Sequence, residues 1–224
     1  MSEARTKKLT LIAEEINVCT ACRLYEGTNK AVPGYGDPSA EILFIGEAPG
    51  FYEDQQGLPF VGKSGRYLDY LLTLIGMKRE QVFITNVVKH RPPDNRDPQS
   101  DEIIACNHFL KRQFEIIDPL VVATLGRFSM AQYFPNGKIS SIHGQPKYAD
   151  DRAYYPLFHP AAALRNPNLR IDMEDDIKRI PDVLEEVKKR RANAKPSADM
   201  PEDAKENAQD NGETDEPPQQ LRLF

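Results

Sequence analysis

The segment from Glu41 to Gly65, EILFIGEAPGFYEDQQGLPFVGKSG, constrains the fold more than any other part of the chain. Ile42, Leu43, Phe44 and Ile45 form a short uninterrupted apolar run, which predicts a buried strand that stops at Gly46. Gly46, Pro49, Gly50, Gly57, Pro59 and Gly62 then predict irregular backbone until a helix can start near Ser64. In an open α/β sheet, ligands bind in the crevice beyond the carboxyl ends of the strands. Glu47, Glu53, Asp54 and Phe60 therefore fall where chemistry is usually placed.

The rest of the chain repeats the alternation. Leu9, Ile12 and Ile16 share one face of a helix over residues 5–17, which leads into Cys19-Thr20-Ala21-Cys22. Leu68, Leu71, Leu72 and Ile75 mark a helix over 65–75 that ends at Gly76. Residues 82–88 predict a second strand with Asn86 near its carboxyl end, followed by the proline-broken loop KHRPPDNRDPQS. A helix over 101–117 carries Cys106. A third strand spans 119–125, a short helix 127–134 and a fourth strand 154–159, which ends in His159-Pro160. Ile177, Ile180, Val183, Leu184 and Val187 mark a final helix, kinked or restarted at Pro181. Strands alternating with helices predict a three-layer α/β/α sandwich around a mainly parallel four-stranded sheet.

Composition bounds the class. With 224 residues, 40% hydrophobic and 28% charged, the chain suits one well-cored soluble domain over 1–192 and a tail over 193–224. The tail carries eight carboxylates against Lys195, Lys205 and Arg222, and eight against three accounts for the whole net charge of -5. Few large apolar residues interrupt its Pro, Asp, Glu, Asn and Gln before the last four positions, so it is expected to be disordered. No apolar run approaches the ~18 residues of a membrane span, and the first residues lack the apolar centre of a signal peptide. A cytoplasmic, membrane-free location and a monomer are expected. Three cysteines, two of them in a C-x-x-C pair, suit a metal or redox site better than a disulfide framework.

The strand ends offer complementary groups: carboxylates and an aromatic after the first, the amide of Asn86 on the second, and the imidazole of His159 after the fourth. Together they suit a pocket for a flat heterocycle. An aromatic stacks on such a ring, an amide both donates to and accepts from one polar edge, and a histidine stabilises a carbonyl that gains negative charge. Uracil presents such an edge.

Gly46-Glu47-Ala48-Pro49-Gly50, Glu53-Asp54, Gly57-Leu58-Pro59-Phe60-Val61-Gly62, Ile84-Thr85-Asn86, Arg91-Pro92-Pro93, Leu125-Gly126, His159-Pro160-Ala161 and Leu164-Arg165-Asn166-Pro167 resemble the motifs of the iron-sulfur, family 4 uracil-DNA glycosylases, in the family order over about residues 9–170. The resemblance implies excision of uracil from DNA to start base excision repair. Phe60 would stack on the flipped uracil, Asn86 read its Watson-Crick edge, His159 stabilise the uracilate O2, and Glu47 sit near the attacking water with Gly46 beside the base. Leu164 and Arg165 would fill the gap left by the flipped nucleotide, although Ala163 stands where many relatives carry a second leucine. Phosphate contacts are expected from Lys63, Ser64, Lys89, Arg91, Arg96 and Arg127.

The family's four cysteine ligands are matched here by Cys19, Cys22 and Cys106, with His90 at the fourth position. The resemblance thus implies a 4Fe-4S cluster held by three thiolates and an imidazole, with a Cys3His zinc site as the alternative. A histidine ligand also occurs in a uracil-trapping branch, but the loop Arg91–Ser100 lacks that branch's insertion and nucleophilic histidine, which implies ordinary turnover. Other readings are a non-catalytic iron-sulfur DNA-binding protein and a glycosylase for another deaminated base. Gln220-Leu221-Arg222-Leu223-Phe224 resembles the pentapeptide by which bacterial repair proteins dock on the replication sliding clamp, with Gln220, Leu221, Leu223 and Phe224 as the contacting residues.

Overall fold

The computed structural model describes residues 2–194. The acidic tail beyond them, with the clamp-like residues Gln220, Leu221, Leu223 and Phe224, lies outside the described residues. In chain order the elements are α1 (Ser2–Asn17), β1 (Tyr35–Gly36), β2 (Ile42–Gly46), α2 (Phe51–Gln56), α3 (Lys63–Thr73), β3 (Phe83–Asn86) and α4 (Ser100–Ile117). They continue with β4 (Val121–Leu125), α5 (Arg127–Ala131), α6 (Ile139–Ile142), β5 (Lys147–Ala149), β6 (Arg152–Leu157), α7 (Pro160–Ala163), α8 (Pro167–Lys178) and α9 (Ile180–Ala194).

One six-stranded sheet has the order β1-β3-β2-β4-β6-β5. The four inner strands, β3, β2, β4 and β6, pair in parallel and are the four expected. The two additional strands pair antiparallel at the edges. From β2 the chain goes to β3 on one side and later to β4 on the other, so the carboxyl end of β2 is the switch point at which such sheets hold ligands.

Alternate residues of the inner strands feed two cores, because strand side chains have a period of two. Ile42, Phe44, Ile84, Ala123 and Tyr155 pack with Leu68, Leu71 and Leu72 of α3, Met173 and Ile177 of α8, and Val183 and Val187 of α9. Leu43, Ile45, Phe83, Val122 and Tyr154 pack with Leu9, Ile12 and Ile16 of α1 and Phe109 and Leu110 of α4. The result is the expected α/β/α sandwich. The restart expected at Pro181 is present: α8 ends at Lys178 and α9 begins at Ile180, with Pro181 in its first turn, where its missing N–H has no helical partner to lose. Among the described residues no helix is long and apolar enough to cross a membrane.

One local expectation is overturned. The segment from Gly46 to Ser64 is not irregular throughout, since α2 occupies its middle. Gly50 and Gly57 cap that helix rather than forbidding it, Gly57 at φ 75° with its N–H donating to the Glu53 carbonyl at 2.7 Å.

Candidate active site

Four parallel strands with a common polarity bring their carboxyl ends to one edge of the sheet. A cleft of about 630 Å³ opens there, lined by Glu47, Pro49, Glu53, Phe60, Ser64, Asn86, Asp97, His159 and Arg165 among others. Four of the five residues expected to touch or transform the substrate, Glu47, Phe60, Asn86 and His159, line it. The fifth, Gly46, lies directly beneath.

Gly46 is paired with Asn86 in the β2–β3 register. A Cβ on Gly46 would lie 2.3 Å from Asn86 Oδ1 and 2.7 Å from the Phe60 ring, so glycine is what lets amide and aromatic meet. Asn86 is 1% exposed and, among the described residues, its Oδ1 is buried without a hydrogen-bond partner. Such an orphan costs about 1–3 kcal/mol in a finished core, and here it lies at the wall of the cleft. The Asn86 carbonyl is fixed from behind by Lys89 Nζ at 2.7 Å.

Phe60 sits at φ 53°, a backbone conformation that bulky residues rarely adopt. Two neighbours hold it there. The Phe60 carbonyl lies where a Cβ on Gly65 would clash at 1.8 Å, and it accepts from Arg79 Nη2 at 2.6 Å. Arg79 is itself oriented by Asp69 at 2.8 Å. The Phe60 ring lies 5.9 Å from the His159 ring, tilted by 31°.

His159 caps α7, and its Nδ1 accepts from the Ala161 N–H at 3.1 Å. The proton of the neutral ring is therefore on Nε2. Burial, reinforced by Arg165 and opposed by Glu53, pulls the His159 pKa down to about 4, so the ring is a neutral donor at physiological pH. Gly126, at φ 92° with its missing Cβ 3.0 Å from His159 Cβ, gives this side chain its room.

The three carboxylates that follow β2 in the opening segment divide sharply. Glu53 Oε1 accepts from the Val61 and Gly62 N–H groups, each at 2.9 Å, and holds the turn that carries Phe60. Asp54 accepts from the Asn29 N–H at 2.8 Å and from Asn29 Nδ2 at 2.6 Å, which ties down the segment after the C-x-x-C pair. Glu47 is half-buried and, among the described residues, makes no hydrogen bond through its carboxyl. Burial pushes its pKa up to about 7, with Asp97 pushing the same way and Arg127 opposing.

Of the groups expected at DNA, Ser64, Arg96 and Arg165 line the cleft, Lys63 is exposed at the start of α3, and Arg91 precedes the lining residue Pro92. Leu164 is 46% exposed at the end of α7 while Ala163 packs inward. Lys89 is a correction. It is 1% exposed and donates to Thr85 Oγ1, the Asn86 carbonyl and Gln113 Oε1, so it meets no phosphate. Arg96 and Arg127 are engaged with Glu102 and Asp97. Arg79, Asp97 and Gln113 escaped sequence reasoning, since no motif or periodicity points to them.

Cys19, Cys22, His90 and Cys106 converge from the end of α1, the loop after β3 and the inside of α4 on one small cavity of about 10 Å³. That is about the space of one water, and among the described residues no three His, Cys, Asp or Glu side chains are grouped closely enough to hold a metal ion. The donor types suit one, since three thiols and an imidazole line the same cavity, whereas the nearby His108, which does not line it, bonds the Ala105 carbonyl. Burial pushes the Cys106 thiol up to about 11.

The molecule is an α/β/α sandwich with a polar cleft at the carboxyl ends of its parallel strands, and comparison with known proteins gives its family. Residues 33–184 match the uracil DNA glycosylase superfamily, and the chain belongs to that family. It is 47% identical to the type-4 uracil-DNA glycosylase of Sulfurisphaera tokodaii, over 77% of this chain and 83% of that protein. It is 46% identical to the type-4 enzyme of Saccharolobus solfataricus, over 79% and 86% of the two chains. Identity to that of Thermotoga maritima is 39%, over 84% of this chain and 95% of the relative.

Proposed function

We propose that this chain is a monofunctional uracil-DNA glycosylase that flips uracil out of DNA and hydrolyses its N-glycosidic bond. The observation that carries the reading is the unpartnered Asn86 amide set between a stacking ring, a neutral Nε2–H donor and a free carboxylate. The Asn86 side chain donates to and accepts from one edge of uracil, while Phe60 covers its face. As the C1′–N1 bond breaks, its electron pair passes to the base, and the His159 Nε2–H stabilises the charge that gathers on O2. Water adds to C1′ and gives its proton to Glu47, whose raised pKa suits that role near neutral pH. No matched motif places a lysine against the sugar, so the strand is not cleaved.

Flipping costs about a few kcal/mol and is least costly at a mispaired base. The exposed Leu164, with Arg165 beside it, fills the vacated stack. Lys63, Ser64 and Arg91 take phosphates, in keeping with their places at the cleft and the start of α3.

Cys19, Cys22, His90 and Cys106 hold a 4Fe-4S cluster in this reading. Such a cluster, when bound, supplies a cross-link between α1, α4 and the loop after Asn86. The histidine ligand distinguishes this chain from an all-cysteine site. Gln220, Leu221, Leu223 and Phe224 dock on the sliding clamp, and deleting residues 220–224 should abolish clamp binding without changing excision from a short oligonucleotide.

Release of free uracil from a uracil-containing oligonucleotide tests the central claim. Asn86→Ala and His159→Ala should each lose it. Binding without release favours the non-catalytic reading, and a covalent protein–DNA band on a denaturing gel favours trapping.

A further inference from the structure

The residues that flank the cleft on α2 have no part in the chemistry above. Phe51 and Tyr52 are 51% and 56% exposed, and their rings meet edge to face with centroids 5.4 Å apart. Both neighbours in sequence, Gly50 and Glu53, line the cleft. Tyr52 also lies against Gly62 at the start of α3, its Cδ2 3.3 Å from where a Cβ would be. The pair therefore continues the edge of the cleft that Phe60 occupies inside.

A cation accompanies it. The Arg91 guanidinium stands 5.2 Å from the Phe51 ring centroid, and its Nε donates to Asn95 Oδ1 at 2.8 Å. Arg96, from the loop before α4, and Arg127, at the start of α5, are paired with Glu102 and Asp97. Arg91 forms no ion pair among the described residues, so its charge remains available to an anion. Exposed apolar residues scattered singly need no explanation. Two aromatics locked together beside a DNA-binding cleft, with an arginine braced across one of them, form a stacking platform with a phosphate contact built in.

We propose that Phe51, Tyr52 and Arg91 form a subsite for the nucleotide next to the flipped uridine on the same strand, its base on the aromatic pair and its phosphate on Arg91. The proposal rests on the glycosylase reading. Stacking on an aromatic side chain is tolerant of base identity, because every base has a π-face. The subsite therefore holds the strand without reading it, and it serves single-stranded DNA best, where the neighbouring base is free to leave its own stack.

The test compares kcat/KM on three single-stranded oligonucleotides: one intact, one with a tetrahydrofuran abasic residue 5′ of the uridine, one with it 3′. The wild-type protein should favour the intact strand over one of the abasic strands by about tenfold. In the double variant Phe51→Ala, Tyr52→Ala that preference should collapse toward one, mainly through KM. Phe51→Tyr and Tyr52→Phe should keep it. Placing 2-aminopurine at the same neighbouring position adds a direct readout, since stacking quenches its fluorescence. The wild-type protein should quench it and the double-alanine variant should not. Full preference and quenching in the double variant, or no preference in the wild type, would overturn the subsite. Failure of the wild-type protein to release uracil from any strand strikes the glycosylase reading, whereas quenching on uracil-free strands tests the platform by itself.

Discussion

The Ala161 backbone N–H donates to His159 Nδ1 at 3.1 Å, and that contact decides which ring nitrogen carries the proton. With Nδ1 occupied as an acceptor, Nε2 is the donor. Burial then holds the ring neutral by pulling its pKa to about 4. The sign of the pH dependence follows. Between about 4 and the ordinary value of about 6.5, the unfolded chain binds a proton that the folded chain refuses, so this residue lowers stability as pH falls through that window. Urea unfolding should show His159→Asn losing less stability between pH 6.5 and 4.5 than the wild type, while uracil release falls about 10²- to 10³-fold. Equal acid sensitivity of the two proteins would mean that the ring is not buried neutral.

The same site predicts a steric lesion. A Cβ on Gly46 falls 2.3 Å from Asn86 Oδ1 and 2.7 Å from Phe60, and both side chains line the cleft proposed to hold the base. Gly46→Ala should leave the strand paired but displace the amide and the ring, lowering kcat/KM by at least about 100-fold through loss of a buried bidentate contact. Circular dichroism and thermal melting should show a folded protein; wild-type kinetics in this variant would contradict the pocket as drawn.

Arg79 tests the role of a residue remote from any motif. Its Nη2 donates to the carbonyl of Phe60, which sits at positive φ, at 2.6 Å, while Asp69 orients it. Arg79→Ala should weaken uracil binding, raising KM and the inhibition constant for free uracil together by about tenfold, a change of roughly 1.4 kcal/mol. Arg79→Lys should not restore it, because an ammonium cannot form the same fork. An altered melting temperature with unchanged uracil affinity would assign Arg79 to stability alone.

These residues also show where sequence reasoning reaches and where it stops. The four inner strands are legible because they are buried on both faces and read as short apolar runs, as Ile42–Gly46 does. The edge strands Tyr35–Gly36 and Lys147–Ala149 are two and three residues long and partly exposed, with no period to detect. Gly50 and Gly57 are read as breakers because their spacing does not reveal that six residues between two caps form a helix. Residue types at the site are legible, but their division of labour is not. Glu53 and Asp54 are engaged by backbone N–H groups from Val61, Gly62 and Asn29, partners that only the fold brings within reach. Lys89 looks like a phosphate ligand until Thr85 and Gln113 are seen around it.

The cysteine cluster makes a prediction in colour. Cys19, Cys22, His90 and Cys106 line one cavity, the first two just after α1 and the last inside α4, so a cluster held by them would cross-link these segments. Anaerobically purified protein should be brown, with broad absorption near ~400 nm and about four irons per chain. Cys106→Ala should lose the colour and melt at lower temperature, and His90→Cys should keep both. A colourless protein containing one zinc and still releasing uracil would replace the cluster and leave the glycosylase reading intact.

Glu47 carries the sharpest pH prediction. Burial first, and the Asp97 carboxylate second, push its pKa up to about 7, while Arg127 pulls it down. A base that must be ionised to take the proton of water is then competent above about 7 and progressively lost below it, so kcat should rise with pH through that value. Asp97 and Arg127 pair with each other and act on Glu47 with opposite sign, which makes them opposed handles. Asp97→Asn removes a negative neighbour and should move the acid limb to lower pH; Arg127→Gln removes a positive one and should move it higher. Glu47→Gln should abolish the limb and most of the rate. The same variant should be more stable than the wild type above pH 7, because the folded state no longer holds a half-buried charge. A limb that stays in place in all three variants would assign the ionisation to another group and remove Glu47 from the proton transfer.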